Sequence, residues 1–95
     1  MKFQWDPKKA AANLLKHDLS FDEGSTIFGD PLAATILDPE HSADEERYVT
    51  IGHSASGRVI VVVHADRGED IRIISARQAT AGEKNKYAEA KRKGR

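Results

Sequence analysis

Cysteine is absent from the 95 residues. No disulfide framework and no thiolate metal site is therefore open to this chain, which suits a reducing compartment. Long apolar runs are missing too. Nothing approaches the roughly 18–20 apolar residues of a membrane span, and the opening MKFQWDPKKAAANLLKH lacks the continuous apolar core of a signal peptide. The expectation is a cytoplasmic protein without a membrane partner. Net charge is also lacking: 15 Lys and Arg stand against 15 Asp and Glu, so overall charge gives no argument for non-specific nucleic-acid binding. There is no glycine-rich phosphate loop and no nucleophile elbow, which leaves nucleotide hydrolysis and serine chemistry without support. His17, His41, His53 and His64 share no short spacing, so no metal and no other cofactor is expected.

What is present is a chain 39% hydrophobic and 32% charged, a balance that favours a folded protein over a disordered one. Its length suits one domain over residues 1–95. The charges are unevenly placed. Residues 38–46, DPEHSADEE, hold five carboxylates and no Lys or Arg, whereas residues 83–95 hold six cations against Glu83 and Glu89.

Local signals give an order of elements. FQW at 3–5 reads as a short strand. Asp6-Pro7 is an N-cap followed by proline at the first helical position, opening a helix to about His17. Ala11, Leu14 and Leu15 are expected to face its core, with Lys8, Lys9, Asn13 and Lys16 at the edges. Ser20 and Glu23 form a capping-box pattern for a second, short helix, which GDP at 29–31 stops. LAATIL at 32–37 reads as a strand. RYVTIGH (47–53), RVIVVVH (58–64) and DIRIISAR (70–77) follow, joined by the glycine-containing turns SASG and ADRGE. Thr80 and Glu83 open a last helix. The predicted class is α+β: an antiparallel C-terminal meander packed with N-terminal helices and one C-terminal helix.

Alternation along the strands puts Ile71, Ile73, Ser75 and Arg77 on one face. If the turns close simply, His53 lies opposite Arg58 and Arg58 opposite Arg77, with Arg47 and His64 together at the far end. Facing guanidiniums repel unless an anion lies between them, so the corner formed by His53, Arg58 and Arg77 reads as a phosphate cradle. The plainer alternative is a set of exposed strand-end arginines.

The elements W-D-P-x-K and N-x-x-K-H near the N-terminus resemble the start of a BrnT-type toxin. So do EERYVTIGHSASGRVIVVVHADRGEDIRIISARQAT and the E-x-x-x-Y of Glu83 to Tyr87, and together they cover residues 3–87 in order. The resemblance implies a RelE-like fold and a bacterial type II toxin that cleaves RNA and stops translation. It implies a BrnA-type antitoxin as partner in a hetero-oligomer, with operator DNA bound only through that complex. It adds weight to Arg77, in S-A-R, and to Arg47, at the head of E-R-Y, as catalytic cations. Lys9, Lys16 and His17 match the N-terminal elements and would line an RNA path. Asp18 departs from the pattern, standing where a glycine is expected.

Metal-independent RNA cleavage needs a base for the 2′-OH, a cation for the phosphorane and a proton for the leaving oxygen. Arg77 and Arg58 suit the phosphate because a guanidinium is always charged and bidentate. His53 suits the base or the acid. Tyr87 either stacks on a base or covers the sheet. The alternative to a ribonuclease is a non-catalytic module of the same fold that only engages a partner protein. An exposed cationic sheet face would in either case be covered by an acidic or amphipathic antitoxin segment.

Overall fold

The protein is described by a computed structural model over residues 2–38 and 45–93. Most of the acidic stretch, with His41, and the final Arg95 lie outside the described residues. The elements are β1 (Phe3–Gln4), α1 (Pro7–His17), α2 (Phe21–Ser25) continuing into a 3₁₀ turn (Thr26–Gly29), β2 (Ala34–Leu37), β3 (Tyr48–His53), β4 (Val59–Arg67), β5 (Asp70–Gln78) and α3 (Ala81–Lys93). This is the α+β order expected from the sequence.

The strands form one mixed sheet in the order β1-β5-β4-β3-β2. β2 to β5 are antiparallel neighbours, while β1 runs parallel to β5, with Phe3 opposite Ile71. The β4–β5 connection is the two-residue loop Gly68-Glu69, in which Gly68 takes a φ of +62° that suits glycine. α1 and α2 pack on one face, and α3 lies against the other at the end of the sheet nearest His53.

The core lies under α2. Leu19, Phe21, Ile27, Ile60, Val62 and Ile73 are almost fully buried, and each such side chain contributes roughly 1.5–3 kcal/mol relative to exposure. Trp5 closes the cluster edge-on to Phe21 at 5.9 Å, and Phe3 packs on Phe28 at 5.4 Å. Both are partly buried and pack against the core.

Three expectations need correction. The buried residue of α1 is Asn13, only 8% exposed, while Leu15 is 90% exposed. The Asn13 amide donates to the carbonyls of Leu19 (3.0 Å) and Ala76 (2.8 Å) and accepts from the Ala76 amide (3.1 Å). A polar side chain is stable there because its donors and acceptor are satisfied, and it ties α1 to β5. Second, β5 does not alternate cleanly. Pairing steps from Val63 opposite Ser75 to His64 opposite Ile73, so Ile74 is the extra residue of a β-bulge. Ile71, Ile73 and Ala76 all reach the core as a result.

Third, the register differs. His53 lies opposite Val59, Tyr48 opposite His64, and Val61 opposite Arg77. Arg58 and Arg77 therefore do not face each other, and Arg47 does not meet His64. His64 lies inside β4, buried, in a chain of hydrogen bonds that crosses three strands. Thr35 Oγ1 meets Thr50 Oγ1 (2.7 Å), Thr50 Oγ1 meets His64 Nε2 (2.7 Å), and His64 Nδ1 meets Asp66 (3.0 Å). Among the described residues no helix is long and apolar enough to cross a membrane.

Candidate active site

β3 ends on His53, and the turn after the 3₁₀ segment brings Asp30 beside it. Asp30 Oδ1 accepts from the Leu32 amide (2.9 Å), which shapes the G-D-P turn, while Oδ2 accepts from the His53 amide (2.9 Å). α3 delivers the third group: the Tyr87 hydroxyl donates a short hydrogen bond to Asp30 Oδ2 and sits 3.1 Å from His53 Nδ1. The two rings meet edge-on at 5.1 Å. An open pocket of about 530 Å³ adjoins them, lined by Thr26, Gly29, Asp30, His53, Ser54, Ala55, Gly57 and Lys91.

The electrostatics are consistent along this chain of groups. Burial alone would raise the Asp30 carboxyl, but hydrogen bonds from the His53 amide, the Tyr87 hydroxyl and the Leu32 amide outweigh it and hold the group below its ordinary value. Burial, and then the bond to Asp30, push the Tyr87 phenol up to about 12. Tyr87 thus keeps its proton and spends it on Asp30, so its oxygen is free to accept. The partner on that side must then be an N–H, which fixes His53 with the proton on Nδ1. Nε2 is left as the basic nitrogen.

The arginines predicted to form a cradle are separated and engaged. Arg77 makes a bidentate pair with Glu83 on α3 (2.8 and 2.9 Å). Glu83 also accepts from the Thr80 amide (2.8 Å), and its own amide donates to Thr80 Oγ1 (3.2 Å), completing a capping box. Arg58 is on the other side of the sheet. It grips Glu23 of α2 through Nε (2.9 Å) and Nη2 (2.5 Å), and Ser54 Oγ donates to the same carboxylate at 2.8 Å. Ser20 caps α2 as expected (3.0 Å), but the Glu23 side chain serves Arg58 rather than closing the box. Arg47, Arg67 and Arg72 gather around Glu45, Arg72 most closely.

The predicted site residues therefore divide. The structure brings His53 and Tyr87 together, and Arg77 lies one turn of α3 from Tyr87 through Glu83. Arg58 and Arg47 are elsewhere. Tyr87 is 5% exposed, so of the two readings of this residue its placement favours covering the sheet over offering its ring to a base. Lys9 and Lys16 are exposed and His17 half-buried on α1, outside the pocket lining. Asp30 and Lys91 were missed. Asp30 looked like a helix stop and Lys91 like a solvated helix end; the only sequence signal was the E-x-x-x-Y spacing, which places Glu83 and Tyr87 on one face of α3. Among the described residues no three His, Asp or Glu side chains are grouped to hold a metal ion.

Comparison with curated proteins returns no match. Among solved structures, the chain is similar to the ribonuclease toxin BrnT of Brucella abortus, known at 1.1 Å resolution. The two are 29% identical with a TM-score of 0.62, over 84% of this chain and 97% of that one. Residues 5–83 match the family described as the ribonuclease toxin, BrnT, of type II toxin–antitoxin systems. With that much of its length matched, and an α+β fold shared with the Brucella toxin, the chain belongs to the BrnT family of type II toxin–antitoxin ribonucleases.

Proposed function

We propose that this toxin cleaves RNA without a metal ion, using His53 as the base and the pocket beside it to hold the scissile phosphate. The observation that carries this reading is the hydrogen-bonded chain from Asp30 through Tyr87 to His53, which leaves Nε2 as the basic nitrogen. In this scheme Nε2 takes the proton of the ribose 2′-OH, the 2′-oxygen bonds to phosphorus, and the bond to the 5′-oxygen breaks. The leaving oxygen takes its proton from solvent. Lys91, the cation in the pocket lining, stabilises the charge on the phosphorane. Arg77 and Arg58 act as positioning residues, Arg77 holding α3 and Arg58 holding α2. Lys9, Lys16, His17 and Arg47 are assigned to phosphates beyond the pocket, which the exposure of the two lysines supports.

The family match supports the following setting as part of the proposal. The toxin acts in the cytoplasm as a single RelE-like domain over residues 1–95 and blocks translation by destroying RNA. It is silenced by a BrnA-type antitoxin and reaches operator DNA only within that complex.

The test is cleavage of a defined RNA by purified toxin in EDTA. Activity should persist, the product should carry a 2′,3′-cyclic phosphate or 3′-phosphate, and a 2′-deoxy substitution at the cleaved position should block it. His53→Ala should lower the rate roughly 10²–10⁴-fold. Loss of activity on chelation, restored by magnesium, overturns the metal-free scheme; wild-type rates in His53→Ala overturn the assignment of the base.

A further inference from the structure

β2 is an edge strand whose outer side has no partner among the described residues. The Asp38 amide donates to the Arg47 carbonyl at 2.8 Å, which fixes the phase of the β2–β3 ladder. In an antiparallel pair the inward-bonding residues recur every second position, so Ala34 and Ile36 bond to β3. Thr35 and Leu37 therefore aim their N–H and C=O groups outwards. Natural edge strands are usually blunted by charge, proline or a bulge. A-T-I-L has none of these, and all four residues are exposed, Ile36 at 68% and Leu37 at 48%.

Beside this edge, under α3, lies an apolar groove of about 320 Å³. Ala34, Ile36, Val49, Ile51 and Ala90 line it, and Lys86 stands at its rim. Of the two described carboxylates on α3, Glu83 is committed to Arg77, while Lys84, Lys86, Lys91 and Arg92 share that helix. The groove thus pairs an apolar floor with one lining cation, Lys86, on a helix rich in further cations.

We infer that this edge and groove are the docking site of the antitoxin, which adds an extended segment as a sixth strand beside β2. The inference rests on the family reading, which gives the toxin a protein partner. Only a polypeptide backbone offers donors and acceptors at the repeat that Thr35 and Leu37 present, which favours protein over RNA here. Alternate side chains of the segment would be apolar and fill the groove, with acidic residues meeting the α3 cations. Strand addition does not touch His53, so inhibition works by covering the mouth of the site or by holding α3.

The probe is the antitoxin encoded beside this toxin, purified and titrated into it. Amide exchange read residue by residue should show Thr35 and Leu37 newly protected in the complex, while Ala34 and Ile36 are protected in both states. Leu37→Pro removes one outward N–H that the sheet does not use, so melting and RNA cleavage should be kept while antitoxin affinity falls about 10- to 100-fold. Leu15→Lys, on α1, should change nothing. If Leu37→Pro does not fold, Ile36→Lys and the wild-type exchange pattern still decide. Unchanged exchange at Thr35 and Leu37 in the complex overturns the proposal, as does affinity within twofold in Leu37→Pro. Protection that develops without antitoxin as the toxin dimerises also overturns it, assigning the edge to a second copy. A wild-type protein that gains this protection yet cleaves no RNA sinks the catalytic reading and leaves the docking site standing.

Discussion

At the scale of single residues, two backbone positions show what the site demands. Asp18 ends α1 in the left-handed region, φ 53° and ψ 42°, with its amide bonded to the Leu14 carbonyl at 2.9 Å. This is the position where the family pattern expects glycine, and the conformation explains why. Asp tolerates it at some cost, so Asp18→Gly should stabilise the protein by up to about 1 kcal/mol, a melting increase of about 4–8 °C by calorimetry. Gly52 is the opposite case. A Cβ there would stand 3.1 Å from Ala33 Cβ, 3.3 Å from Ile27 Cβ and 3.3 Å from Asp30 Oδ2. The missing side chain is what lets the Asp30 turn close on β3. Gly52→Ala should push that turn away, lengthen the bond from the His53 amide to Asp30, and lower RNA cleavage more than it lowers the melting temperature. Cleavage at the wild-type rate in a folded Gly52→Ala protein would show that Asp30 can move without consequence.

Among the elements, α3 is the least securely placed. Tyr87 is the buried residue on it, and the rest of its described surface is largely charged. Among the described residues, polar attachments to the rest of the fold are made by Tyr87, to Asp30 and His53, and by Glu83, to Arg77. Arg77→Ala should therefore lower activity by loosening Tyr87, and should also lower the melting temperature. Arg77→Lys should restore little, since an ammonium cannot reproduce the bidentate fork. A double-mutant cycle with Glu83→Ala separates the possibilities. If Arg77 acts through Glu83, the second substitution should add little to the loss of the first. Additive losses would instead mean that Arg77 meets the phosphate itself, the role first read from its strand-end position.

For the molecule as a whole, the depressed carboxylates Glu23, Glu83 and Asp30 and the imidazole of His64 shape the response to acid among the described residues. The hydrogen bond from Arg58 is the largest influence on Glu23 and holds it near 2, and Arg77 does the same for Glu83, both from an ordinary value of 4.5. Their contribution is complete above that ordinary value and is lost as pH falls towards 2. His64 is depressed by burial, against the pull of Asp66. The unfolded chain takes up that proton first, so stability should already decline as pH drops below 6.5. Urea unfolding across pH should show both stages, with the upper one missing in a folded His64→Gln protein and the lower one reduced in Glu83→Gln. The order of elements was legible because caps and alternation are local: Asp6-Pro7, Ser20, and the valine run of β4 need no tertiary information. What was hidden depends on pairing at a distance. The Ile74 bulge and the longer reach of β4 shifted the register that had aligned Arg58 with Arg77. Asn13 looked like an edge residue because its partners, Leu19 and Ala76, include one 63 positions away. His53 was visible, but Asp30 came from a turn whose sequence announces only an ending.

The chain of groups from Asp30 through Tyr87 to His53 is also assembled in an order set by the sequence, Asp30 and His53 before Tyr87. During synthesis the first two leave the ribosome well before the third, and β1 can pair only once β5 exists. The meander of β3 to β5 closes locally and should form early, whereas contacts such as Phe3 with Ile71 carry a long loop-closure cost and come late. A nascent toxin with β2 and β3 already exposed but residue 87 still unmade has neither the tyrosine that fixes the His53 tautomer nor the helix that carries it. The Tyr87 hydroxyl thus joins Asp30 and His53 only after both have been made, so a nascent chain shorter than 87 residues lacks that hydrogen-bonded contact.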